Sequence, residues 1–196
     1  MVTTAVSPTT QIVLDHWTVD LLDRMPQVNG ERYEIIDGAL YVTRHPHSRH
    51  QMTCDNIIIA LGVWGQQTGI GRTIQAPGLV YANDQAVIPD LVWVRRERLA
   101  TIFDESGHLR ESPDLVVEVL SASKADTERD REKKLTLYSR QGVPEYWIVD
   151  WRAETIEVYR RNEQVLVLIA TLHRDATLSS PLLPGFSCVV AHFFEI

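Results

Sequence analysis

Apolar and polar residues along this chain alternate with a period of two in some blocks and near 3.6 in others, and the switch points divide it into elements. Residues 1–15 read as a loose leader ending in Ile12-Val13-Leu14. Thr18 is placed to cap a short helix over 19–25, stopped at Pro26. Two β-rich runs, 33–36 and 39–42, flank Asp37-Gly38, a strong hairpin signal. Ser48 is placed to cap an amphipathic helix over 49–67, with Ile57, Ala60, Leu61 and Trp64 inward. Strands follow over 72–75, 78–82 and 87–94, then a charged connection over 95–112. A strand over 113–120 leads to a helix over 127–141, ended by Gly142. Strands over 143–150, 155–160 and 165–172 come next, a turn over 181–186, and a closing strand over 188–194. The order predicts an α/β (α+β) fold: a mixed central β-sheet flanked by helices, in a single domain over 1–196.

One position breaks the apolar pattern where it is strongest. Leu115, Val116, Val117, Val119 and Leu120 form a nearly continuous buried strand, and Glu118 is set among them. An ionised carboxylate there is costly unless a partner neutralises it. Strand alternation puts Asp114, Val116, Glu118 and Leu120 on one face. On the helix that follows, Asp130, Lys134 and Tyr138 fall at i, i+4 and i+8, one stripe. The geometry lets this helix return a lysine to the strand acid.

Lysine usage points to the same place. The chain has 19 Lys and Arg, yet its lysines are Lys124, Lys133 and Lys134, all just after Glu118. Either the composition favours arginine, or one lysine is held there because a compact ammonium has a chemical task. Two cysteines, Cys54 and Cys188, fit buried thiols in a reducing cytoplasm better than a bridge. No apolar run is long enough for a membrane span, and the start lacks the basic end and apolar centre of a signal peptide. A net charge of −7 argues against nucleic-acid binding by bulk attraction, though not against a local basic rim on an enzyme.

Asp90, in Pro89-Asp90-Leu91-Val92, shares a strand face with Val92 and Val94. Two carboxylates on neighbouring strands can hold one hard divalent cation, which keeps several waters. Asp90, Glu118 and Lys134 together are a constellation for phosphodiester hydrolysis: a cation to activate water and an ammonium to offset developing charge. His47 and His50 have metal-like spacing but lack a third ligand. Glu34, on the hairpin, is either an exposed edge acid or a site residue.

These residues carry a resemblance. Pro113-Asp-Leu-Val-Val-Glu118-Val-Leu-Ser121, Asp130, Lys134, Tyr138 and Gly142-Val-Pro-Glu-Tyr-Trp-Ile-Val-Asp150 resemble the Uma2 family (DUF820) of restriction endonucleases, within the PD-(D/E)xK nuclease superfamily. The Glu34…Asp37-Gly38 hairpin and the Pro89-Asp90 strand match in order, so the likeness runs over about 33–159. It implies a restriction-endonuclease-like core with an added N-terminal hairpin and C-terminal strands. It implies a catalytic set of Asp90, Glu118, Lys134 and Glu34, with Asp90 and Glu118 as ligands of Mg²⁺ (or Mn²⁺). DNA is the implied substrate, and a homodimer is the implied way to cut two strands. His50 and Gln75 are candidates to line the cleft. The pattern departs from the family at Leu120, where the strand lysine is expected. The resemblance then implies that Lys134 has taken over from the helix; Lys133 points about 100° away. Two other readings stay open: a catalytically inactive nuclease-fold module that binds nucleic acid or protein, and a structural protein in which Glu118 and Lys134 form only a buried salt bridge.

Overall fold

Asp37 and Gly38 turn the first hairpin with φ of 52° and 73°, the left-handed pair that a two-residue turn between twisted strands requires. The computed structural model describes residues 16–25 and 29–195; the expected leader and the Pro26 stop lie outside them. Thr18 caps α1 (Val19–Leu22), its side chain accepting from Leu21 N. The hairpin strands are β1 (Arg32–Ile36) and β2 (Ala39–Thr43). Helix α2 (Ser48–Thr68) is capped by the His47 ring rather than by Ser48, because His47 keeps extended backbone angles and its ring accepts from Arg49 N. Gly69, at φ 69°, ends it.

The strands after α2 are β3 (Gly71–Gln75), β4 (Leu79–Ala82), β5 (Gln85–Val87) and β6 (Leu91–Arg95). The single strand expected over 87–94 is two strands in two different sheets. Pro89 causes the break, since it has no N–H for a ladder and its ring fixes φ. The small sheet has the order β2-β1-β5-β4. The large sheet continues with β7 (Leu115–Val119), β8 (Glu145–Asp150), β9 (Thr155–Asn162) and β10 (Val165–Leu172), in the order β10-β9-β8-β7-β6-β3. Strands β7 and β8 are parallel and the other pairs antiparallel, so the large sheet is mixed. The C-terminal part differs from expectation: β11 (Thr177–Ser180) and β12 (Leu183–Val189) form a separate hairpin, and 190–194 is a 3-10 turn.

Each face of the large sheet has its own core. One face packs Trp93, Val117 and Trp147 against Ile57, Leu61 and Trp64 of α2 and against Phe186 and Phe193. The other packs Val92, Val116 and Leu120 with Leu137, Tyr138 and Tyr146. The crossover between β7 and β8 supplies that second layer. It runs as α3 (Lys124–Glu128), a π-helical turn over Arg129–Lys134, and α4 (Leu135–Arg140). Gly142, at φ 83°, lets the chain leave the helix. The π turn was not expected; the sequence reading gave one regular helix over 127–141.

Candidate active site

The acids sit on the second face because of register. Leu91 pairs with Val117 and Val92 with Val116 in the antiparallel β6–β7 ladder. One step further along the same register sets Asp90 opposite Glu118, with side chains on one face. A hydrogen bond from backbone to side chain seals the pairing, as Val119 N donates to Asp90 Oδ2 at 2.9 Å.

Lys134 arrives from the crossover. Its Nζ lies 2.9 Å from Glu118 Oε1 and 2.9 Å from Glu34 Oε1, and 3.6 Å from Asp130 Oδ1. Lys134 ends a π-helical turn, a wider closure than an α turn, in which Arg129, Asp130 and Lys134 are all buried. Tyr138, one turn on, donates its hydroxyl to Glu118 Oε1 at 2.8 Å. Two donors thus converge on one oxygen of Glu118, and among the described residues none bonds to Oε2.

Glu34 is not an exposed edge acid. It is 1% exposed, accepts from Ile88 N at 2.8 Å, and lies 3.7 Å from Arg129 Nε through its second oxygen. Asp90 is held by three donors: Val119 N, Arg32 Nη1 at 3.0 Å on Oδ1, and His50 Nε2 at 3.1 Å on Oδ2. Asp90, Glu118, Glu34, Lys134 and His50 all line one cavity of about 200 Å³.

Charge in this cavity is set by burial and by partners. Burial pushes Asp90 upward, but the His50 hydrogen bond and the His50 and Arg32 charges outweigh it and hold its carboxyl well below the usual range. Burial pushes the Glu118 carboxyl up to about 8; the Lys134 ammonium opposes this, while Asp130, Asp90 and Glu34 add to it. Burial likewise raises Asp130 to about 6. Burial also works against the Lys134 ammonium, yet Glu118, Glu34 and Asp130 more than compensate and raise its pKa. These shifts agree physically: one ammonium shared by three carboxylates keeps its own proton without fully neutralising any of them. Burial opposes protonation of His50, and its bond to Asp90 prevails, raising its pKa.

Of the residues singled out from sequence, Gln75 stands apart from the cavity. It pairs with Leu91 in the β3–β6 ladder, so it lies on the face opposite Asp90, and it is exposed. Lys133 is exposed as well. His47 stacks on Trp151 with ring centroids 4.9 Å apart and makes no pair with His50. Asp114 is tied to Arg95 and Arg98, away from the centre. The sequence gives no sign of Arg32, and it offers Arg129 only as part of a basic cluster with Arg131, Lys133 and Lys134 that reads as a solvated face, whereas Arg129 is buried. It placed Asp130 and Tyr138 on the right stripe without giving them a role.

A sequence profile of the Uma2 family, described as "Putative restriction endonuclease", matches residues 19–191. The chain belongs to the Uma2 family. A crystal structure of "a putative nuclease belonging to DUF820 from Anabaena variabilis ATCC 29413" superposes with a TM-score of 0.70 at 18% identity, over 90% of this chain and 97% of that one. It establishes that the Uma2 chain has the fold of that protein. The type IIG restriction endonuclease BpuSI matches at a TM-score of 0.41 and 15% identity, over 74% of this chain and 15% of that one, too distant to carry an argument. No curated protein matches the chain.

The donor set of this Uma2 centre fits a hard divalent cation. Glu118 Oε2 and Asp90 supply carboxylate oxygens on facing positions, the chemistry that Mg²⁺ and Mn²⁺ prefer. A second grouping, His50, Cys54 and Asp90, has ligand atoms within 4.8 Å of one another. It is a softer set, a thiol and an imidazole beside one carboxylate, and suits Mg²⁺ or Mn²⁺ less well than two carboxylates do. No described helix is long and apolar enough to cross a membrane.

Proposed function

We propose that this Uma2 chain is a metal-dependent endonuclease that hydrolyses phosphodiester bonds in DNA, acting as one domain. The observation that carries the reading is the convergence of Asp90 and Glu118 on facing strand positions, with Lys134 bonded to Glu118. Asp90 and the free Oε2 of Glu118 would hold Mg²⁺ or Mn²⁺. That ion, when bound, lowers the pKa of a water and stabilises charge on a phosphate oxygen. The chain's own residues do the rest. Tyr138 and Lys134 fix Glu118 Oε1, so that Oε2 faces the cavity. Lys134 keeps its proton among three carboxylates and offsets negative charge developing at the phosphorus centre. Glu34 Oε1 holds the same Lys134 Nζ at 2.9 Å. The leucine at 120 does not break the mechanism, because the ammonium reaches the same carboxylate from the crossover helix. Cutting both strands calls for two such centres, which a homodimer supplies, and a DNA substrate fits a cytoplasmic protein.

The engagement of Asp90 by both Arg32 and His50 favours a second reading, a nuclease-fold module that binds nucleic acid without cutting it. One assay separates the two. Supercoiled and linear DNA are incubated with purified protein and Mn²⁺ or Mg²⁺, alongside Glu118→Gln. Cleavage lost in Glu118→Gln while the fold persists supports the nuclease. No cleavage of either DNA form by the wild-type protein removes it.

A further inference from the structure

We propose that Arg32 competes with the divalent cation for Asp90, so that the centre takes up a cation only together with a phosphodiester that draws the guanidinium away. This rests on the nuclease reading above and names what loads its metal site.

Three observations carry it. The first is occupancy. A carboxylate offers about four acceptor positions, and three on Asp90 are filled: one by Val119 N and two by the cationic side chains Arg32 and His50. A metal at Asp90 must share it with, or displace, a positive charge. The second is charge balance. The buried acids lining the cavity, Asp90, Glu118, Glu34 and Asp130, each already lie against a basic side chain, Arg32, Arg129, Lys134 or His50. A cation at Asp90 enters a pair already made, and a guanidinium displaced from it inside the cavity is left without a partner, which is costly. A phosphodiester brings the missing negative charge. The third is position. The Arg32 side chain is 33% exposed, against 7% for Asp90, so it reaches the acid from the open side of the cavity. Its bonds to Asp90 and to Ile88 O both run through Nη1, and among the described residues no partner holds Nε or Nη2. Those nitrogens can take a phosphate oxygen pair as a planar fork. His50 is only 5% exposed in its side chain and is locked at Asp90 from the helix side, so Arg32 is the cation free to leave.

The test measures Mn²⁺ binding by calorimetry and electron paramagnetic resonance, not cleavage. Wild type, Arg32→Met, Arg32→Lys and Asp90→Asn are titrated alone and with a short phosphorothioate DNA duplex that resists hydrolysis. Wild type is expected to bind Mn²⁺ weakly alone and about tenfold or more tightly with the duplex, where tenfold is about 1.4 kcal/mol. Arg32→Met is expected to bind tightly without the duplex and to gain little from it. Arg32→Lys keeps the charge and loses the fork, so it should bind weakly alone and gain less from the duplex than wild type does. It carries the test if Arg32→Met does not fold. Equal Mn²⁺ affinity of wild type and both Arg32 variants without duplex, with binding lost in Asp90→Asn, overturns the inference and leaves the nuclease reading standing. No Mn²⁺ binding by any of these proteins, with or without duplex, overturns both.

Discussion

Lys134 Nζ lies 2.9 Å from Glu118 Oε1 although the two are carried by different elements, one on a helical crossover and one on the strand before it. A side chain two places along the strand would share the acid's face without any help from tertiary packing. Lys134 reaches it because the crossover docks on the sheet with Asp130, Lys134 and Tyr138 facing inward. The geometry of the polar centre and the docking of the crossover are therefore set together.

Lys134→Ala removes the ammonium that three buried carboxylates share. It should cost about 3–5 kcal/mol of stability, since an uncompensated buried charge remains. Cleavage should fall about 10²–10³-fold at saturating Mn²⁺, the scale for one lost transition-state donor. Urea unfolding and single-turnover cleavage read the two effects separately. Lys134→Arg should fail to restore cleavage, because a planar fork cannot fill a site built for a compact ammonium.

The raised Glu118 carboxyl makes a signed prediction about pH. In the folded chain it holds its proton up to about 8, against an ordinary 4.5. Between those values the native state binds more protons than the unfolded one, so this group stabilises fully below about 4.5 and loses its contribution as pH rises toward about 8. Glu118→Gln should remove that slope. Thermal unfolding of both proteins from pH 5 to 8 checks it, and parallel curves would count against the assignment. Asp90, held low, acts in the opposite sense: its contribution is present above the ordinary aspartate range and fades as pH falls below it.

Tyr138→Phe deletes one of the two donors on Glu118 Oε1 and leaves the ring packed edge-on against Tyr146 at 5.1 Å. Leaving a buried acceptor short of a donor costs about 1–3 kcal/mol. The variant should keep its fold, lose stability on that scale, and need more Mn²⁺ for half-maximal cleavage, because Glu118 is free to turn Oε2 away. Unchanged metal dependence would assign Tyr138 to the core alone.

Glu145 provides a control outside the centre. It is buried and accepts from Trp147 Nε1 at 2.6 Å, Arg160 Nε at 2.8 Å and Ser180 Oγ at 2.9 Å, tying β8 to β9 and β11. Glu145→Ala should destabilise by about 3–5 kcal/mol through the stranded arginine and tryptophan donors. Cleavage per folded molecule should stay at the wild-type level.

The sequence carried its best information where local and tertiary demands agreed. The Asp37-Gly38 turn, the Thr18 cap and the apolar run around Glu118 are each set by nearby residues, and each is found as expected. The stripe of Asp130, Lys134 and Tyr138 survived the unexpected π turn because all three still face the sheet. Two kinds of feature were not legible. Pro89 can open a strand or separate two of them, and only the pairing partners decide which. Arg32 and Arg129 look like every other arginine until the fold buries their partners. Gln75 shows a third limit: which face a strand residue takes depends on register, and a motif carries none.

Glu34 and Arg32 ride on the small sheet, while Asp90 immediately precedes β6 and Glu118 lies on the neighbouring β7 of the large one, with 88–90 as the direct link between β5 and β6. The polar centre thus straddles two sheets that also share one apolar core, Ile36, Leu79 and Val87 from the small sheet packing with Val92 and Val116 of the large one, so charges and core move together. The 88–90 link is itself part of that centre, since Ile88 N bonds Glu34, Ile88 O accepts from Arg32 and Asp90 is one of the acids, so any shift at the join is a shift of the charges.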